Sequence, residues 1–284
     1  MKNPILYLMS GFISLTVIIL GFFFTEKPLH SVDKYKIYYG EINNTILEDI
    51  IKYDMVILEA ANLTKEQVKY IKNQKKTITL GYLSVMEIGD WDKEINEKLY
   101  DSDYLYLDGR KVRDKYKKNY IGNLGQTHFR NILLSVLEKR ILYKGFDGIF
   151  IDTTGWIDSL ENRNKELYKQ QLDGYEELLK KITRKYPGII IVQNRGFSCF
   201  KLMSSNYVNG ILWENFDIKS ISSEDIENNE LINELEQIRY AKCITIFSVS
   251  YQNENENQEF ARKMQWIHLQ QNESTHHNKW ILND

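Results

Sequence analysis

The chain has 284 residues, 43% of them hydrophobic, and a formal net charge of −2. That is enough apolar material for one large folded domain, and the near-balanced charge without a long basic block argues against nucleic acid as a partner. With only 3 prolines and no linker-like stretch in the middle, a single domain is expected after the N-terminus. The 19 tyrosines and 5 tryptophans suit a sugar-binding surface and equally an aromatic-rich core. Cys199 and Cys243 could form one disulfide or remain free, and a fold of this size does not need the bond.

Ile5–Phe24 is an uncharged, strongly apolar run. At about 1.5 Å per helical residue it would cross a hydrocarbon core of roughly 30 Å. No Ala-x-Ala cleavage pattern follows, and no lipid-accepting cysteine, so residues 1–25 read as an uncleaved signal-anchor rather than a cleaved signal. Residues 26–34 would be a tether, and residues 35–284 the folded domain. The charge bias around the run is weak. An anchor this near the start most simply leaves the domain outside the cytoplasm, or secreted if the segment is cut.

From Lys36 onward short apolar runs alternate with helical patterns. Strands are predicted at Ile37–Tyr39, Met55–Leu58, Thr77–Leu83, Tyr120–Asn123, Gly148–Asp152, Ile189–Val192, Gly210–Trp213 and Ile244–Val249. Short, nearly all-apolar runs are the signature of strands buried on both faces. Between them, Thr64-x-x-Gln67 forms a capping box with Leu63 able to staple onto Val68. Phe129 to Ile141, and Leu167 to Ile182 before Pro187-Gly188, repeat at helical spacing. Ile226 to Ile238 mark another helix, and Phe260, Met264 and Ile267 a last one. Asp108-Gly109 within Tyr104–Val112 predicts a β-hairpin inserted after the third strand. The alternation predicts an α/β fold, a (β/α)8 TIM barrel, with a doubly wound open sheet as the alternative. No Gly-x-Gly-x-x-Gly follows the first strand, which weakens a dinucleotide-binding version of that alternative.

Barrel active sites lie at the C-terminal ends of the strands. The polar residues ending the apolar runs are Glu59, Tyr82 with Ser84 and Glu87, Asp152, Asn194, Trp213 with Glu214, and Tyr251. An acid in such a place is often only a helix cap, and Asp147, which precedes its strand, reads as structural. Asp152 paired with Glu214 suggests glycoside hydrolysis, which needs one protonated acid and one ionised carboxylate across the sugar. Tyr82, Trp213 and Tyr251 could stack on sugar faces. No metal or cofactor is expected. The five histidines (His30, His128, His268, His276 and His277) are scattered, with His276-His277 in a polar tail, and no Gly-rich phosphate loop or Gly-x-Ser-x-Gly elbow is present.

At these residues the chain resembles the endo-α-1,4-polygalactosaminidases, glycoside hydrolase family 114. The carrying stretches are Tyr38-Tyr39-Gly40, Tyr82 to Ile88, Gly145 to Thr153, Gln193-Asn194, Trp213-Glu214 and Ser248 to Tyr251. The resemblance implies a barrel that hydrolyses an α-1,4-linked, galactosamine-containing polysaccharide, with Asp152 and Glu214 as the catalytic acids. Tyr38, Glu59, Tyr82, Ser84, Glu87, Asn194, Trp213 and Tyr251 are then expected to bind substrate. Two departures bear on the substrate: Met86 stands where the family usually has glycine before Glu87, and Ser250 where it often has an acid. The alternative function is a tethered barrel that binds polysaccharide without cleaving it, within an export or adhesion assembly.

Overall fold

The computed structural model describes residues 29–221, 226–271 and 277–282. The apolar run at 5–24 lies outside them, and among the described residues no helix is long and apolar enough to cross a membrane. Eight strands form one sheet: β1 (Tyr35–Tyr38), β2 (Met55–Leu58), β3 (Ile78–Ser84), β4 (Gly148–Asp152), β5 (Ile190–Asn194), β6 (Gly210–Glu214), β7 (Thr245–Ser250) and β8 (Ile267–Gln270). Each pairs with the next in sequence, and every ladder is parallel. β8 returns beside β1, so the sheet nearly closes into a barrel. The doubly wound alternative is excluded by this sequential order.

One expected strand is not part of the barrel, and one barrel strand lies where a helix was expected. Tyr120–Ile121 is not a barrel strand but pairs antiparallel with Glu87–Ile88 in the insertion after β3. Only two residues precede Gly122, where an added Cβ would sit 2.2 Å from the Phe129 ring. The run is too short to traverse a barrel. The eighth strand is instead β8, in a stretch whose Ile267 continued the helical spacing of Phe260 and Met264. That helix (Glu254–Met264) stops at Gln265, which is left-handed at φ 57°. Residues 267–270 alternate apolar and polar and so lack an all-apolar run.

Alternation along each strand sorts side chains into two layers. Tyr35, Ile37, Met55, Ile57, Leu80, Phe150, Val192, Leu212, Phe247 and Leu269 fill the barrel interior. Val56, Leu58, Leu83, Ile149, Ile151, Ile191, Ile211, Trp213 and Ile246 face outward into a second apolar layer beneath the helices. Leu29 and Val32 are buried in the interior cluster, so the chain just before β1 packs against the barrel.

The local signals are well obeyed. The helix Lys65–Lys75 carries the full capping box from Thr64 and Gln67, with Leu63 and Val68 buried beside it. In the hairpin, Tyr106 pairs with Lys111 and Leu107 with Arg110, while Asp108 and Gly109 adopt φ 51° and 73°. This is the left-handed pair that a type I′ turn requires. Asp147, below β4, accepts hydrogen bonds from the Thr79 amide and hydroxyl (both 2.9 Å) and pairs with Lys72 at 2.7 Å, a structural role. Cys199 is buried and Cys243 exposed, both as free thiols.

Gly148 opens β4 where no side chain fits, since a Cβ there would lie 1.9 Å from the Ile190 carbonyl oxygen. Because that neighbour is backbone of the adjoining strand, Gly148→Ala is expected to cost roughly 2–3 kcal/mol of stability. Chemical denaturation measures this directly. An unchanged midpoint would mean that β4 and β5 can part without penalty.

Candidate active site

The interior positions that reach the C-terminal rim are polar. Counting by twos, Phe150 leads to Asp152, Val192 to Asn194 and Leu212 to Glu214. The residue after each of these three is left-handed: Thr153 at φ 70°, Arg195 at 49° and Asn215 at 58°. Such a residue ends the strand abruptly and leaves the preceding side chain at the rim. For β-branched Thr153 this conformation costs of order 1–3 kcal/mol. The Thr153 hydroxyl is well placed in return. It donates to the Asp152 carbonyl (2.6 Å) and accepts from the Met86 amide (2.9 Å), tying β4 to the loop that carries Glu87.

Asn194 joins the two acids. Its amide nitrogen donates to Asp152 Oδ1 at 2.9 Å and to Glu214 Oε2 at 2.8 Å. The N–H bonds of an amide diverge by about 120°, which sets the two carboxylate oxygens about 5 Å apart. The Asn194 side-chain oxygen, Oδ1, is buried and has no hydrogen-bond partner among the described residues. The orientation is nonetheless forced, because the opposite one would aim that oxygen at two carboxylates. Tyr82 donates its hydroxyl to Asp152 Oδ2 at 2.8 Å.

The environments push the two acids apart. Burial, and then the Glu214 charge, raise Asp152 above the ordinary aspartate value, against the opposing hydrogen bonds from Asn194 and Tyr82. Burial also acts to raise Glu214, but the nearby His277 ring and the hydrogen bond from Asn194 outweigh it and leave Glu214 below its ordinary value. Opposite shifts in neighbouring carboxyls are the arrangement that lets one hold a proton while the other is charged.

A cleft of about 1010 Å³ opens over this pair, lined in part by Tyr39, Glu59, Glu87, Trp91, Trp156 and His277. Glu87 accepts from Trp156 Nε1 (3.2 Å), Asn119 (3.2 Å) and Lys117 (3.3 Å), which fixes it on the wall. Glu59 is raised by burial and caps the turn at 60–62 through the Ala61 amide at 2.9 Å. Asp158 also reaches the cleft, but its two oxygens hold the Ser198 and Cys199 amides at 2.8 and 2.9 Å. Met86 turns fully into the outer apolar layer, so it fills space behind Glu87 without entering the cleft. Buried Ser250 donates its hydroxyl to the Phe216 carbonyl.

Four expected substrate contacts do not line the main cleft. Tyr38 and Trp213 occupy outward parity positions. Tyr38 donates to the Glu41 carbonyl and packs edge-on against Trp280, and Trp213 packs among Phe197, Phe216 and Trp266. Ser84 bonds the Glu87 carbonyl at 2.8 Å and lines only a smaller side pocket. Tyr251 reaches His277 at 3.3 Å rather than the cleft wall. Tyr39, the inward neighbour of Tyr38, takes the cleft position, and counting by twos from Ile37 would have found it. His277 carried no such signal. Among the described residues no group of three or more His, Cys, Asp or Glu side chains is arranged to hold a metal ion.

A family model described as glycoside-hydrolase family GH114 matches residues 30–282. The chain belongs to this family. The GH114 chain is thus a glycoside hydrolase by family, and its fold has solved counterparts. The glycoside hydrolase domain of PelA from Pseudomonas aeruginosa is similar at 20% identity and TM-score 0.66, over 84% of this chain and 94% of that one. Aspergillus fumigatus Ega3, solved in complex with galactosamine, is similar at 14% identity and TM-score 0.65, over 87% and 93%. Both are likenesses of fold. A search of curated proteins returned no match.

The raised Asp152 has a stability consequence. A carboxyl that binds its proton more tightly when folded contributes stability below its unfolded value, and that contribution is lost as pH rises through the raised value. Asp152→Asn in the GH114 chain is therefore expected to melt above wild type at neutral pH, with the advantage fading as pH falls toward 3.8. Melting curves recorded across that range check this. A neutral variant that melts lower at every pH would show that Asp152 is not held at a disadvantage.

Proposed function

We propose that Asp152 and Glu214 hydrolyse a galactosamine-containing polysaccharide by a two-carboxylate mechanism. The observation that carries this reading is the Asn194 amide bridging both acids at the floor of a large open cleft. A separation of about 5 Å is the spacing used when one carboxylate attacks the anomeric carbon directly, whereas activating a water between the acids requires about 6.5–9.5 Å. In the first step the ionised carboxylate forms a bond to the anomeric carbon and the glycosidic C–O bond breaks. The other carboxyl delivers its proton to the leaving oxygen. Water then cleaves the glycosyl ester, returning its proton to that second carboxyl, with net retention.

The substrate class rests on the family and on the charge of the cleft. Glu59, Glu87, Asp152, Asp158 and Glu214 line it against Lys117 and Arg195, an acidic excess that favours a polymer carrying free amines. The Ega3 complex with galactosamine is consistent with the same sugar. The α-1,4 linkage is the finer part of this proposal. The apolar run Ile5–Phe24 supports a single-pass membrane anchor with the catalytic domain outside the cell, where biofilm exopolysaccharide and its export machinery would be met.

Full-length protein is expected to release new reducing ends from galactosamine-containing exopolysaccharide. Asp152→Asn and Glu214→Gln should each lower that rate by about a thousandfold or more. The wild-type kcat/KM should be bell-shaped in pH, with limbs that belong to the coupled pair and stand further apart than those of two independent carboxyls. Tight binding with no turnover would support the non-catalytic barrel instead. Variants as active as wild type would remove the mechanism.

A further inference from the structure

His277 lies in the chain after β8, seven residues beyond the last strand residue, Gln270, yet it is buried at the mouth of the cleft with 5% of its surface exposed. Its placement is fixed from several sides. Its carbonyl accepts the Tyr39 amide at 2.8 Å, its φ is +59°, and its ring meets Tyr39 edge-on at 5.4 Å. The residues that follow are fastened to β1 and its neighbours. Trp280 packs edge-on against Tyr38 and donates to Asp49 at 3.1 Å, and the Ile281 carbonyl accepts from Lys36 at 2.6 Å.

The ring nitrogens differ in their surroundings. Nε2 lies 3.7 Å from Glu214 Oε1 and 3.3 Å from the Tyr251 hydroxyl. Nδ1 is buried with no hydrogen-bond partner among the described residues. A neutral ring protonated at Nδ1 would bury an unsatisfied donor, at about 1–3 kcal/mol, and would aim the Nε2 lone pair at a carboxylate. Protonation at Nε2 leaves Nδ1 as an unpaired acceptor instead, at a similar cost, but it removes the repulsion between lone pair and carboxylate. At 3.7 Å the pair stands at ion-pair distance, and such contacts commonly tighten when substrate displaces water from a site.

Resting on the hydrolase reading above, we propose that His277 is a positioning residue: Nε2–H faces the Glu214 carboxylate and holds it in place opposite Asp152. Glu214 is thus gripped on both oxygens, Oε2 by Asn194 and Oε1 by His277. The other charged or titratable groups around it are Asp152, Arg195, Tyr35, Tyr39 and Tyr251. Of these only Arg195 can add positive charge, and its side chain has no hydrogen bond to Glu214. His277, beyond the last barrel strand, is therefore part of the active site.

Two variants of the full-length protein test this, with folding checked by melting. His277→Ala is expected to lower kcat about tenfold to a hundredfold with KM within about twofold, and to move the acid limb of the pH profile upward. His277→Gln, which keeps an N–H near the Nε2 position, should retain most of the activity and the wild-type limb. The carboxyl titration of Glu214 followed by 13C NMR gives a readout independent of turnover. It should rise in His277→Ala and remain low in His277→Gln. An unmoved Glu214 titration in His277→Ala, or equal loss in both variants, overturns the proposal. A wild type inactive on the polymer, with Glu214 still shifted in His277→Ala, would overturn the hydrolase reading while upholding the pairing.

Discussion

Two carboxylates about 5 Å apart in a partly dry cleft repel each other, and one amide group holds them there. Asn194 does so through both side-chain N–H bonds, and its side-chain oxygen goes unpaired in the interior. A buried polar atom without a partner costs about 1–3 kcal/mol. The left-handed Thr153 adds a second unfavourable term beside the same acids. The rest of the barrel serves to keep β4, β5 and β6 in the register that brings the three side chains together.

That register is a consequence of strand parity. Each of the three strands presents an apolar interior residue and then, two positions on, a polar one at the rim. The same rule decides which neighbours reach the cleft. Tyr39, Tyr82 and Glu59 have inward parity, while Tyr38 and Trp213 are turned into the helical layer. An aromatic beside a rim acid in sequence is therefore on the other side of the sheet from that acid's side chain.

Much of this was legible in the chain. The all-apolar runs marked seven of the eight barrel strands, because burial on both faces leaves a composition signal that local chemistry does not obscure. The hairpin at Asp108-Gly109 and the Thr64 capping box were equally plain, since both depend on residues a few positions apart. The rim positions of Asp152, Asn194 and Glu214 were legible because each ends such a run. β8 was not, because its alternating residues lack the run and its first isoleucine extends a helical spacing. The misplaced fourth strand, Tyr120–Ile121, belongs to an insertion whose antiparallel pairing depends on contacts distant in sequence. Tyr38 and Trp213 lie on the outward face, a placement that strand parity in the sequence already encodes. His277 is different in kind. Nothing within a polar C-terminal stretch encodes that it packs against Tyr39 and Glu214, since those contacts exist only once the barrel has nearly closed.

The insertion after β3 and His277, beyond β8, both line the cleft over a floor supplied by β4 to β6. The insertion fixes Glu87 through Asn119 and Lys117, and the C-terminal segment brings His277 to Glu214. The central claim is the close spacing of the two acids. The measurement that tests it most directly is the anomeric configuration of the first-formed product, followed by 1H NMR immediately after enzyme is added to an α-linked galactosamine oligomer. The account requires the α-anomer to appear first and the β-anomer to grow in only by mutarotation. Initial appearance of the β-anomer would mean that a water stands between the acids during the reaction, and that the spacing set by Asn194 is not the working one.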